Sequence, residues 1–371
     1  MIDLRDYEFV RVSGPDSLKF LQGQVTCDIE KLGKDNSLTG AICNLRGRVI
    51  ADFLIVLDGE DCILRTQKGM SEVIKKSLAK YAIFSKVELT EEAGFCKVIG
   101  TMNAEDAKLV GDIIGQVPAD VLGSYVDSKA IVVRLPSNNS RLEVWVREKE
   151  TFNEWQLHKD ETSLNDWKRE DIMEGIVHVN LPMSEEYTPQ LLNYDLSGVI
   201  DFSKGCYTGQ EIIARMHYRG NAKKRLFLLT GKNSVKDSSE VIQRYGDKET
   251  LAKVLAFSNS YEELDSSVLL AILNITSEQS SYSLSTPNQK ESTLNLVPLS
   301  SYISIRYQMT TSSNKFDAKY KLQNGYYLLD YGVPGPIRTA DLSLRRRLLY
   351  PAELRGLIHV SIPMIFTTVN E

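Results

Sequence analysis

An α+β fold is predicted for this chain of 371 residues, and three observations predict it. Strand-like and helix-like periods alternate irregularly over the first 230 residues, without the strict strand–helix–strand rhythm of a doubly wound sheet. Hydrophobic residues make up 42% and charged residues 25%, which excludes a disordered chain or a fibre. At roughly 100–200 residues per domain, the length allows two or three domains with ample core.

The elements follow in order. Phe9–Val12 reads as a strand, and Ser-Gly-Pro-Asp at 13–16 as a helix start with Pro15 in the first helical position. Val49–Leu57 is apolar and β-branched, Asp58-Gly59 turns, and Cys62–Thr66 returns, so 49–66 is a hairpin. Ile74 and Leu78 stand at i, i+4 and predict a helix over Met70–Tyr81. Phe84–Leu89 reads as strand, and Asn103 caps a helix through Ile114. In Leu142–Val146, apolar residues alternate with Glu143 and Trp145, as in a half-buried strand. A helix from about Leu164 should stop at Gly175. Leu251–Phe257, Val268–Ile275 and Leu294–Pro298 read as strands, although 258–313 holds 15 serines in 56 positions, a linker-like composition. Beyond 302 the patterning fails.

Lys plus Arg is 44 and Asp plus Glu is 49, a net charge of −5. Mild acidity argues against coating nucleic acid by bulk charge, and no stable nucleic-acid binding is expected. The five cysteines, at 27, 43, 62, 96 and 206, form no CxxC, and with only four histidines a zinc site is not expected. Such cysteine usage suits a reducing cytoplasm. The N-terminus lacks the features of a secretory signal, and the longest apolar runs fall short of the ~20 residues of a membrane span. A cytoplasmic monomer without membrane contact is the expectation.

Two constellations carry chemistry. In Lys204-Gly-Cys-Tyr-Thr-Gly-Gln-Glu211, Thr208 and Glu211 have the spacing of a capping box, predicting a helix from Gly209 to near Gly220. Cys206 would then lie beside a positive helix end, with Lys204 near in sequence, and both would favour thiolate. The alternative is a small buried residue beside a cap. In the second constellation, Trp167, Asp171 and Glu174 share a helical face, with Trp167 and Glu174 about 10 Å apart. A flat heterocycle such as a pterin or purine could stack on the indole while the carboxylate accepts its N–H pair. The alternative is Trp167 packed into the core above an acidic surface. Arg46 and Arg48 could meet an anionic tail, or be merely solvated. His178 and His217 have no partner at ligand spacing and default to structure. The basic run Arg219, Lys223, Lys224, Arg225 could touch phosphate, but reads better as a solvated edge.

Lys204–Glu211 resembles the signature of the folate-binding YgfZ family, relatives of the aminomethyltransferase T-protein of the glycine cleavage system. Ser13–Thr26, Lys80–Lys86, Trp167–Gly175 and Pro189-Gln190 resemble further family blocks in order, over about 3–300. The resemblance implies a three-part ring: two α+β subdomains over 1–220 carrying the folate cleft, and a small β-barrel over 221–302. It implies a tetrahydrofolate-binding accessory protein for assembly or repair of iron–sulfur clusters, including those of tRNA-modifying enzymes. Iron–sulfur enzymes or assembly factors would be its partners. Cys206 is then the signature thiol, Lys204 its neighbour, and Tyr7, Trp167 and Glu174 the folate-binding residues.

Three departures bear on that implication. Tyr7 stands where Trp is familiar. The Asp-Asp pair of T-proteins is reduced to Asp52 beside Ala51, which disfavours, without excluding, aminomethyl transfer; a folate- or RNA-binding regulator without chemistry is the remaining alternative. Residues 303–371 have no family counterpart. Val333–Thr339 and Tyr350–Arg355 resemble a frame translated through a transfer-RNA gene, so this extension is expected to be disordered or a translation artefact, with Arg345–Arg347 solvated.

Overall fold

The apolar run from Val49 has both faces covered, because four layers stack around it. The computed structural model describes residues 1–137, 139–148, 161–220, 222–259, 267–299, 321–323 and 326–328. The chain opens with β1 (Ile2–Asp3), β2 (Tyr7–Ser13) and α1 (Ser17–Gln22), then β3 (Ser37–Cys43), β4 (Val49–Asp58) and β5 (Asp61–Gln67). After α2 (Ser71–Ala82) and β6 (Glu88–Glu91), an antiparallel sheet is complete in the order β3-β4-β5-β2-β6. β7 (Lys97–Thr101), α3 (Ala104–Ile114), β8 (Ser124–Val126), β9 (Ala130–Arg134) and β10 (Leu142–Val146) follow. They give a second sheet, β1-β7-β10-β9-β8. Phe9, Leu54 and Ile63 meet Ile131, Val133 and Trp145 between the two sheets. Phe20, Ile74 and Leu78 of α1 and α2 cover the outer face of the first sheet, and Val110 and Ile114 of α3 that of the second. A strand between two such layers is apolar on both sides, and β4 is buried from Val49 through Val56.

Local signals hold where local physics decides. The hairpin of β4 and β5 turns at Gly59 with φ 65°. Asn103 caps α3, its side chain accepting from the Asp106 amide. Other expectations are corrected. α1 begins at Ser17, two residues late, and Pro15 sits in the preceding turn. The strand expected over Phe84–Leu89 is β6 at Glu88–Glu91, with Phe84 91% exposed at the end of α2. β10 is buried on both faces. Its Glu143 pairs with Arg65 of β5 across the sheet interface, and a paired charge can be buried where an isolated one cannot.

The chain continues through α4 (Glu161–Met173) and α5 (Gln210–Arg219) into the barrel strands β11 (Lys224–Gly231), β12 (Glu240–Tyr245), β13 (Lys248–Asn259), β14 (Ser267–Asn274), β15 (Ser280–Ser285) and β16 (Ser292–Val297). The barrel closes in the order β11-β14-β13-β12-β15-β16, with β16 pairing back onto β11. The fold is therefore α+β with a small C-terminal β-barrel, as expected. The serine-rich stretch supplies three of its strands, β14, β15 and β16, with Leu284 and Leu294 filling the interior. No described helix is long and apolar enough to cross a membrane. Most of the extension from 303 lies outside the described residues. Its described part is an antiparallel pair, β17 (Lys321–Gln323) with β18 (Tyr326–Leu328), where no element was expected.

Candidate functional site

Four buried charges and three aromatic rings meet between the two sheets and α4. Arg65 of β5 donates to both carboxylate oxygens of Glu143, each at 3.0 Å, and the Trp145 indole donates to the same Glu143 at 2.6 Å. The Arg65 guanidinium lies 4.3 Å from the centre of the Tyr7 ring. The Trp167 indole donates to the Tyr7 hydroxyl at 3.1 Å, and burial pushes that phenol's pKa up. Arg141 stacks 3.9 Å over the Trp167 ring and donates to Asp171 at 2.8 Å. Burial works against the Asp171 charge, yet Arg141, His178 and Arg65 together hold its carboxyl below the usual range.

His178, read from sequence as merely structural, joins this cluster. Its Nδ1 donates to Asp52 at 2.7 Å, and its Nε2 lies 3.7 Å from Asp171. The Val179 amide donates to the other Asp52 oxygen at 2.6 Å. The chain reaches this position through a Schellman turn. The Ile176 amide donates to Asp171 O and the Gly175 amide to Ile172 O, with Gly175 at φ 69°. The stop signal seen in sequence at Gly175 thus also folds His178 back beneath α4.

Trp167 and Asp171 meet on Arg141, whereas Glu174 stands just past the end of α4. Trp167 is 3% exposed. One face is under Arg141, and a Cβ at Gly100 would fall 2.7 Å from the indole, so only glycine fits there. The indole forms the wall of the site rather than an open stacking platform. Glu174 is 5% exposed as a whole residue; its carboxylate has no hydrogen bond or ion pair among the described residues and keeps an edge open to solvent. A carboxylate with an open edge and no described partner can accept an incoming N–H pair.

The signature stretch is built differently. The buried Lys204 ammonium donates to the carbonyls of Gln22, Val25 and Cys27 at 2.8, 2.6 and 2.8 Å. Burial lowers its pKa to about 8. The expected capping box does not form. The N-cap of α5 is Gly209, at φ 84°, with Asn44 O only 2.5 Å from where a Cβ would stand. Thr208 donates instead to Gln24 at 3.0 Å, and Glu211 accepts from Arg215 at 3.1 Å on the surface. Tertiary contact with the 22–27 segment has replaced the local cap. Cys206 is exposed on this loop, whereas Cys27, Cys43 and Cys62 are buried thiols pushed up to about 12 by burial. A cavity of about 300 Å³ opens beside the loop, lined by Gln24, Cys43, Arg46, Lys80, Tyr81 and Thr208 among others. It lies at the signature, away from Trp167. Arg48 donates to Glu186 O. Of the supposed basic edge, Arg225 is buried and bidentate to Asp195 at 2.9 and 2.8 Å, so it is part of the barrel's attachment rather than a solvated cation. His217 stacks on Phe202 at 3.8 Å. Among the described residues, no group of three or more His, Cys, Asp or Glu is placed to hold a metal ion.

Sequence reading missed Arg65, Arg141, Glu143 and His178. The available signal was a charge set inside an apolar strand, as in Cys-Ile-Leu-Arg-Thr and Leu-Glu-Val-Trp-Val, which is stable only if a partner waits elsewhere.

No family model matches the chain. It is 31% identical over 233 residues to the tRNA-modifying protein YgfZ of Colwellia psychrerythraea, covering 62% of this chain and 71% of that protein. It is 32% identical over 241 residues to the tRNA-modifying protein YgfZ of Vibrio atlanticus, covering 63% and 70%. Among solved structures, the glycine cleavage system aminomethyltransferase T from Bartonella henselae shares the fold, with TM-score 0.65 at 12% identity over 81% of this chain and 85% of that one. The match at the signature is thus continuous with one along most of the relatives' length, and the chain belongs to the YgfZ family.

Proposed function

We propose that the chain binds tetrahydrofolate beside α4 and serves as an accessory protein for assembly or repair of iron–sulfur clusters, including those of tRNA-modifying enzymes. One observation supports the folate reading: the Glu174 carboxylate has no partner among the described residues, keeps an edge open to solvent, and stands at the end of α4, one turn after Asp171. A pterin offers the planar N–H pair that such a carboxylate accepts. Glu174 would hold that edge, while Tyr7 and Trp167 wall the site. Tetrahydrofolate, when bound, supplies a one-carbon carrier. The name of the relatives, tRNA-modifying protein YgfZ, supports the link to tRNA modification. Iron–sulfur enzymes or assembly factors are the proposed partners, with exposed Cys206 as the functional thiol and Lys204 as the clamp of its loop. A single cysteine cannot hold a cluster alone, so the client must contribute ligands. The chain is proposed to act in the cytoplasm as a monomer, without stable binding to nucleic acid.

Aminomethyl transfer is less favoured, because both oxygens of Asp52 are already engaged, by His178 and by the Val179 amide. Isothermal titration with tetrahydrofolate tests the reading. Glu174→Gln should weaken binding about tenfold or more, the value of a charge-assisted hydrogen bond. Wild type that does not bind, or a variant that binds equally well, would overturn it.

A further inference from the structure

We propose that His178 is the positioning residue of this cleft, an imidazole clamped between Asp52 on β4 and Asp171 on α4 that fixes both carboxylates and carries an exchangeable proton for the bound ligand. The proposal rests on the folate reading above. Each carboxylate has one oxygen anchored elsewhere. Asp52 Oδ1 accepts from the Val179 amide at 2.6 Å, and Asp171 Oδ1 accepts from Arg141 at 2.8 Å. The remaining oxygens face the two ring nitrogens, at 2.7 and 3.7 Å.

A carboxylate only accepts, so Nδ1 carries a proton toward Asp52. In the neutral ring Nε2 would then present a lone pair to Asp171, an unfavourable facing that a second proton removes. The charged groups around the ring are Asp52 and Asp171, with Arg65 of β5 on the opposing side and Arg141 behind Asp171. The Tyr194 phenol also feels Asp52, and burial keeps it protonated. Burial and Arg65 disfavour the imidazolium, but the two carboxylates outweigh them and raise the His178 pKa above its usual value. The side chain keeps 19% of its surface open, enough for proton exchange. Glu174 stands three residues after Asp171, just past the end of α4, where its amide still donates to Glu170 O, so a ligand held by Glu174 lies within one helical turn of this pair.

The test has two arms on the full chain. In the free protein, the His178 ring signals are followed by NMR from pH 5 to 9 and assigned with His178→Gln. The midpoint should lie above the model-peptide value of about 6.5 and fall in Asp52→Asn. A wild-type midpoint at or below about 6.5 overturns the clamp, even if Asp52→Asn fails to fold. In the second arm, tetrahydrofolate affinity is measured over pH 6–9, on protein shown to be folded by its circular dichroism. It should fall several-fold as pH rises through the NMR midpoint, and His178→Gln should flatten the profile. Parallel profiles would reduce His178 to packing. If wild type binds no tetrahydrofolate at any pH, the folate reading and the ligand coupling fail together, and the first arm still decides the clamp.

Discussion

Two buried cations anchor two regions of this molecule, and they are held in opposite ways. Arg65, between the sheets, faces a carboxylate in bidentate geometry. Lys204, under the signature loop, faces three backbone carbonyls, and the carboxylates that act on it do so from further away. Burial opposes both charges. At Arg65, Glu143, Tyr7 and Asp171 outweigh it, and the guanidinium pKa moves up. At Lys204 burial wins, and the ammonium falls to about 8. One region is therefore a permanently charged scaffold, and the other a clamp whose charge titrates near physiological pH.

The largest effect should come from breaking the scaffold. Removing one partner of a buried ion pair leaves the other uncompensated, at a cost of about 3–5 kcal/mol. Arg65→Met should lose that much in urea unfolding. Adding Glu143→Gln removes the stranded charge and keeps an acceptor for Trp145, so the double variant should recover at least half of the loss. A double variant no more stable than Arg65→Met would mean that the pair is held by shape rather than charge.

Breaking the clamp should cost slightly less. Lys204→Met strands three carbonyls, and at about 1 kcal/mol per hydrogen bond the loss is about 3 kcal/mol. It also removes a pH dependence whose sign is fixed. The unfolded chain keeps a lysine near 10.5 and the folded one near 8, so the unfolded chain binds the proton more tightly. The Lys204 contribution to wild-type stability should rise as pH climbs from about 8 toward 10.5, and that rise should vanish in Lys204→Met. Stability curves that run parallel for the two proteins would contradict the carbonyl-only environment.

The same contrast explains what the sequence disclosed. The hairpin of β4 and β5 and the Asn103 cap are contacts within a few residues, and they were legible. The alternation of β10 was read as a half-buried strand because Glu143 looked like a solvent residue; its partner Arg65 lies 78 residues away. His178 was read as structural because Asp52 lies 126 residues earlier. Trp167 and Asp171 do share a face, meeting on Arg141, but no pattern along α4 could show that Arg141 covers the indole. The signature was recognisable as a string, while its capping box was outcompeted by contacts to residues 22–27.

That competition sets the smallest and most discriminating test. If the signature loop were held by its own helix cap, Thr208→Ala and Glu211→Ala would each cost about 1 kcal/mol and would be strongly coupled, since each side chain serves the other's amide. In the structure the two side chains serve different partners. Thr208 donates to Gln24, and Glu211 makes an exposed pair with Arg215. Exposed i, i+4 pairs are worth about 0.3–0.5 kcal/mol, so Glu211→Ala should change stability by no more than that. Thr208→Ala should cost about 1 kcal/mol through the lost Gln24 bond. A double-mutant cycle should then be additive within about 0.5 kcal/mol, as for independent sites. Coupling of 1 kcal/mol or more would mean that the capping box forms in solution after all. The loop would then be fixed by its own sequence, Lys204 would be a secondary clamp, and Cys206 would sit directly before a capped helix end.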